Sequence, residues 1–172
     1  MTIEFKNLIS QYIHGGYLLR QAVAHMPLDH LLARPIAGKW STLEVVCHIS
    51  DFEPVFADRM KRVIALENPQ LLGADENLFL KSLSYHQRNL GEELALIDLV
   101  RSQMARILTG LPDSAWVRVG IHSEKGPVSL NNLLEKAIGH IDHHLPFIEQ
   151  KKEAFGFELD ENKVLESGLR LV

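Results

Sequence analysis

Five consecutive residues, His140-Ile-Asp-His143-His144, hold three of the chain's nine histidines. His140 and His144 are four apart, which on a helix puts both imidazoles on one face, about one turn from each other. His144 also falls inside an apolar stripe, between Ile141 and Ile148. A histidine aimed into a core needs partners for its ring nitrogens, because an unmet buried polar group costs about 1–3 kcal/mol. Two such rings one turn apart also repel strongly when both are charged. A divalent metal answers both conditions: it binds neutral imidazole nitrogen and supplies the positive charge itself. The competing reading is an exposed pair with no ligand, and the place of His144 on the stripe argues against it.

Two imidazoles make a weak site, so a third ligand is expected from a facing helix. His48 is the strongest candidate, four residues before Phe52 at the edge of another apolar stripe. Three imidazoles leave coordination positions open for water or substrate, the pattern of a catalytic rather than a structural site. Asp51 lies one turn beyond His48 and either orients its second nitrogen or serves as a solvated or capping carboxylate. Cys47 points about 100° away from His48 and reads as a buried structural thiol. His143 stands at a similar angle from His144 and reads as a rim residue. His14, His25, His30 and His86 show no partner in the sequence and read as surface or polar-contact residues.

These residues must be positioned by helices, because apolar spacings of three and four run through most of the chain. The first helix carries Phe5, Leu8, Ile9, Tyr12, Ile13, Leu19, Val23 and Met26, interrupted by Gly15-Gly16. Two glycines inside a helix imply that something packs closely against them or that the helix is loosened there. Residues 27–40 read as a connection. Ser41-Thr-Leu-Glu44 then fits a capping box, opening a second helix that runs to about Glu67 and contains Pro54. Residues 68–77 read as a loop. A third helix is expected from Leu83 to Leu111, its seam broken by Gln87 and Arg101. Residues 112–128 read as irregular, with a short extended piece at Val117 and Val119 but no sheet. The last helix starts near Ser129. Four such helices predict an all-α four-helix bundle. Residues 1–152 form this one domain, and 153–172 are a tail expected to pack on the bundle or on a partner chain.

Composition agrees with one folded domain: 172 residues, 46% hydrophobic, 23% charged, net charge −4. That excludes intrinsic disorder as the main state. A pI near 6.1 argues against a general nucleic-acid binder. No apolar run exceeds four residues, so no membrane span is expected. The opening MTIEFKNLISQ lacks the pattern of a signal peptide. One cysteine cannot form an internal disulfide, so a cytoplasmic location is expected.

Three segments carry a resemblance. Gly38-Lys-Trp40-Ser-Thr-Leu-Glu-Val-Val-Cys-His48-Ile-Ser-Asp51 resembles the start of the second helix in the DinB-like superfamily, closest to its YfiT-type branch of metal-dependent hydrolases and thiol S-transferases. His122-Ser-Glu124-Lys-Gly126 resembles the segment before that branch's last helix, and His140-Ile-Asp-His143-His144 resembles its H-x-x-H-H pattern. The resemblance implies an up-down-down-up bundle, often a homodimer, with nickel or zinc held by His48, His140 and His144. It implies chemistry as well: members attach a low-molecular-weight thiol (bacillithiol, mycothiol or glutathione) to an electrophile, and one is a thiol-dependent isomerase. The chain departs from the branch at Gly139, where an aromatic residue is usual, and at Phe147, preceded by Pro146, where a further histidine is usual.

The expected function is therefore a metal-dependent transferase, in which coordination turns a small thiol into a thiolate that attacks a second small molecule. One alternative is a hydrolase whose open metal position takes water, with Asp51, His122 or Glu124 as base. Another is a non-catalytic metal-binding or stress-related protein. His143 and Trp40 are the candidate substrate contacts.

Overall fold

The structure, a computed structural model, describes residues 2–157. In chain order the helices are α1 (Ile3–Ala22), α2 (Leu28–Leu32), α3 (Thr42–Ala65), α4 (Glu76–Ser82), α5 (Leu90–Thr109) and α6 (Leu130–Ala154). Each long helix begins where a side-chain oxygen accepts an otherwise unpaired N–H of the first turn. Thr2 caps α1, Ser41 caps α3, Asn89 caps α5 and Ser129 caps α6. The capping box is present in full: Ser41 Oγ accepts from Glu44 N at 3.1 Å, and Glu44 Oε2 accepts from Ser41 N at 2.7 Å. Helix α3 runs unbroken through Pro54, whose ring sits on its exposed side.

The four long helices form a four-helix bundle in which α1 and α3 each pack on both α5 and α6. Residue pairings fix their directions. Arg20 meets Asp98 while Gly15 meets Arg101, so α1 and α5 are antiparallel. Glu53 meets Arg101 and Lys61 meets Gln103, so α3 and α5 run the same way. His48 lies against His144 and Phe56 against His140, so α3 and α6 are antiparallel. The order is thus up, down, down, up. Two consecutive helices pointing the same way require the chain to travel back along the bundle between them, and residues 66–89 do so.

Two apolar clusters fill the interior. One gathers around Met60, Met104, Leu108, Trp116 and Leu134, and the other around Leu19, Ile49, Ile97, Ile141 and Ile148. Between them lies the buried ion pair of Glu53 and Arg101. Arg101 and Asp98 are what pack on the two glycines: a Cβ at Gly15 would sit 2.5 Å from Arg101 Nη1, and one at Gly16 2.8 Å from Asp98 Oδ1.

The connections differ from expectation in three places. A three-stranded sheet joins β1 (Gln70–Leu71), β2 (Val119–His122) and β3 (Gly126–Ser129), with β1 parallel and β3 antiparallel to β2. Strands of two to four residues are too short for an alternating pattern to register, and pairing Gln70 with Ile121 needs contact across the chain. Gly120 is required there, since a Cβ would meet Leu71 Cδ1 at 2.8 Å and Val63 Cγ2 at 2.9 Å. Second, the helix expected from Leu83 starts at Leu90. Ser84 takes a left-handed conformation, a 3-10 turn occupies Tyr85–Gln87, and the Asn89 cap begins α5 afresh. Third, residues 68–77 and 27–40 are not all loop: Asp75 caps α4, and α2 lies within the earlier connection. The tail begins at the end of α6, where the Phe155 ring stacks on His30 of α2 at 4.1 Å. The remainder of the expected tail, 158–172, lies outside the described residues. Among the described residues no helix is long and apolar enough to cross a membrane.

Candidate metal centre

The capping box sets the first turn of α3, and His48 follows within its second turn, facing α6. Its ring is 5% exposed and packs edge-on to Trp40 at 5.3 Å and against Phe52 at 4.6 Å. From α6, His140 and His144 project one turn apart toward the same point, as their spacing predicts. One nitrogen from each of His48, His140 and His144 lies within 4.8 Å of the other two, so the three could hold a metal ion. The Nε2 atoms of His48 and His140 are 2.8 Å apart.

All three rings are held neutral at pH 7. Burial is the first cause for each, followed for His140 and His144 by the neighbouring imidazoles. His48 is pushed down to about 4, His140 to about 2 and His144 to about 3. Neutral rings offer lone pairs, and that is the protonation state a divalent cation needs. The Nδ1 atoms of His48 and His140 are buried with no hydrogen-bond partner among the described residues. Imidazoles that converge, stay neutral and, among the described residues, find hydrogen-bond partners only in one another fit a zinc- or nickel-type ion.

The triad opens on a cavity of about 460 Å³, whose wall also includes Trp40, His122, Glu124 and His143. The sequence candidates therefore converge, with one exception. Asp51 does not orient His48: Arg88 Nη1 holds its carboxylate at 2.8 and 2.9 Å, and Arg88 also binds Glu93. An arginine 37 residues away outcompetes an imidazole one turn away because it is a full positive charge whose Nη1 reaches both Asp51 oxygens while Nε and Nη2 grip Glu93. His122 Nδ1 accepts from the Glu124 backbone N–H at 3.2 Å. Its neutral ring must then carry the proton on Nε2, which makes it a donor rather than a base. Cys47 is fully buried with Sγ toward Tyr85 O, and burial pushes its thiol up to about 12.

Arg59, Lys136 and Glu76 also line the cavity and were not singled out from sequence. A signal was present for two of them. Arg59 extends the stripe His48, Phe52, Phe56 by a further turn, and Lys136 precedes His140 by four. A second cavity of about 270 Å³ lies on the other side of His144. Trp40 and His144 face both cavities, and Phe147 and Val45 make the second one mainly apolar. Phe147, one of the positions that departs from the branch pattern, is thus a pocket wall.

The profile of the DinB superfamily matches residues 11–148. A candidate metal-dependent hydrolase of Oceanobacillus iheyensis is 27% identical over 133 residues, 76% of each chain. Another, from Bacillus licheniformis, is 23% identical over 155 residues, 90% of this chain and 88% of the relative. The Bacillus subtilis protein YfiT, also named a candidate metal-dependent hydrolase, is 25% identical over 140 residues, 81% and 79% of the two chains. The solved structure of YfiT, described as a probable metal-dependent hydrolase with an unusual four-helix bundle topology, is similar at a TM-score of 0.85 and 23% identity, covering 92% of this chain and 91% of YfiT.

Proposed function

This chain belongs to the DinB superfamily, and from that premise we propose that it is a metal-dependent transferase joining a low-molecular-weight thiol to an electrophilic carbon of a second small molecule. One observation carries the reading: the three neutral imidazoles line one cavity, and one of them, His144, together with Trp40 also lines a second. A reaction of two substrates needs two such approaches, whereas water needs none of its own. Nickel or zinc held by His48, His140 and His144 would supply a positive charge that lowers the pKa of a thiol brought beside it. The chain's own residues do the rest. Burial keeps the three rings neutral, and Trp40 and Phe52 wall His48. The single cysteine, buried and protonated, is not the nucleophile, so the sulfur comes from a small molecule. As the C–S bond forms, the leaving group departs from the attacked carbon with the bonding electron pair; Glu124 is the cavity carboxylate that would accept the thiol proton, and His122 presents an N–H to the charge that develops. His143 and Trp40 contact the substrate at the rim.

Metal-dependent hydrolysis is the second reading, favoured by the names of the relatives and by Glu76 and Glu124 in the larger cavity. Thiol consumption with 1-chloro-2,4-dinitrobenzene, measured with and without stoichiometric zinc or nickel, separates them. The transferase reading expects metal-dependent consumption that His140→Ala abolishes. Turnover of esters or amides without thiol would replace it with hydrolysis. Stoichiometric metal with neither turnover would make the protein a non-catalytic metal binder. A cytoplasmic homodimer is the setting we propose, and sedimentation velocity tests the dimer.

A further inference from the structure

Arg59 is a charged residue in an unusual setting. It lies on α3 three turns beyond His48 and is 8% exposed. Its Nη2 donates to Leu72 O at 2.5 Å, while its Nε is buried with no hydrogen-bond partner. No ion pair within 4.0 Å is found for it among the described residues; Glu124 and Asp58 act on it only through space. A buried guanidinium is ordinarily paired, because an uncompensated buried charge is costly. Arg59 instead lines the 460 Å³ cavity that holds the triad.

His122 is in the same wall, 7% exposed, and its Nε2–H is a donor for the reason given above. Lys125 and Lys136 also line the cavity, and both are near enough for their charges to act on His122 together with that of Arg59. The cavity wall thus carries three cations, Arg59, Lys125 and Lys136, against two carboxylates, Glu76 and Glu124, before any metal is counted.

We propose that Arg59, His122 and Lys136 form an anion subsite that takes a carboxylate or phosphate group of the small-molecule substrate and turns its reactive end toward the histidine triad. The inference rests on the reading that this cavity is the substrate site. It adds the substrate's charge class. A planar guanidinium offers parallel N–H groups that match two oxyanion oxygens, and an ammonium adds charge without demanding geometry. Toward the cavity all three residues donate, so an anion gains both hydrogen bonds and charge there, a neutral acceptor gains less, and a cation is repelled.

Isothermal titration calorimetry of the full chain, as purified and again after chelation, tests this with inorganic phosphate and succinate at low ionic strength. At least one anion is expected to bind in both preparations. Its affinity should fall tenfold or more in Arg59→Met and about threefold in Lys136→Ala. Phosphate bound in preference to succinate points to a phosphorylated substrate, and the reverse to a carboxylate; either supports the subsite. Absence of binding by both anions overturns it, as does an affinity unchanged in Lys136→Ala and His122→Gln, two variants that keep the inference testable should Arg59→Met fail to fold. A parallel zinc titration keeps the two readings apart. Zinc bound without anion removes the subsite alone, and anion bound without zinc removes the metal enzyme alone while leaving the subsite standing.

Discussion

Of the polar clusters buried in this bundle, two are instructive side by side, because the chain completes one and not the other. Around Arg101 every charged group ends on a protein partner. Its Nε donates to Glu53 Oε1 at 2.9 Å, Nη1 to Tyr12 O at 2.6 Å, and Nη2 to Ala137 O at 2.9 Å and to Glu53. The Tyr12 hydroxyl donates to Glu53 Oε2 at 3.1 Å. One contributor comes from each of α1, α3, α5 and α6, so the network ties all four helices together. Around His48, His140 and His144 the ring nitrogens converge on one another, and two Nδ1 atoms have no partner. Burial of polar groups therefore does not by itself mark a functional site. A satisfied cluster is part of the scaffold, and an unsatisfied one opening on a cavity has capacity for a ligand.

The sharpest way to break this contrast is to unpair the complete cluster. Arg101→Met leaves the Glu53 charge buried with no counter-ion and only the Tyr12 hydroxyl as partner, which should cost about 3–5 kcal/mol in urea unfolding. Adding Glu53→Leu should recover most of it, because no charge then remains to be compensated. A loss below about 1 kcal/mol in the single variant would show that the cluster does not tie the helices.

The incomplete cluster should instead gain stability from outside. Free zinc at 100 times its Kd is expected to add about 2.7 kcal/mol, read as a rise in Tm that a chelator reverses. His140→Ala should fold without zinc yet show no such rise. An equal rise in the variant would place the ion elsewhere.

Acid provides a third separation. In the metal-free protein burial holds the three imidazoles far below the 6.5 of an unfolded chain, His48 at about 4 and the others lower. Between pH 6.5 and about 4 the unfolded chain binds protons that the folded one refuses. Stability is then fully present above pH 6.5 and falls as pH drops through that window. With the rings' partial exposure discounted, the loss from pH 7 to 6 should be on the order of 1–2 kcal/mol. Thermal melts of wild type and His144→Leu measure it, and the variant's profile should be the flatter one. Equal slopes would remove the triad as the cause.

The smallest effect concerns Asp51. Because Arg88 holds it, Asp51→Asn should leave zinc affinity within about threefold of wild type. A drop of tenfold or more, the size expected of a carboxylate that orients a ligand, would return Asp51 to His48.

The triad was readable from the chain because each half of it is a local pattern. The spacing of His140 and His144, the place of His144 on an apolar stripe and the capping box before His48 all act over a few residues. The glycine pair announced a close neighbour, although its identity, Arg101 at Gly15 and Asp98 at Gly16, came only with packing. Arg101 itself looked like a flaw in the seam of α5, when it is the centre of the scaffold network. Arg59 and Lys136 were on the right faces, yet a single charge on a stripe gives no sign of whether it is paired. The sheet and the break before α5 escaped because strands of two to four residues and one left-handed serine carry almost no periodic signal.

What the sequence determined by itself is a set of capped amphipathic helices and the side chains each one presents, because hydrogen bonds within a turn and the 3.6-residue repeat are local. Tertiary structure alone decided which faces meet: His48 with His140 across 92 residues, Asp51 with Arg88 rather than His48, and two cavities on either side of His144. Those outcomes depend on how all four helices share one interior, and no single segment contains that information.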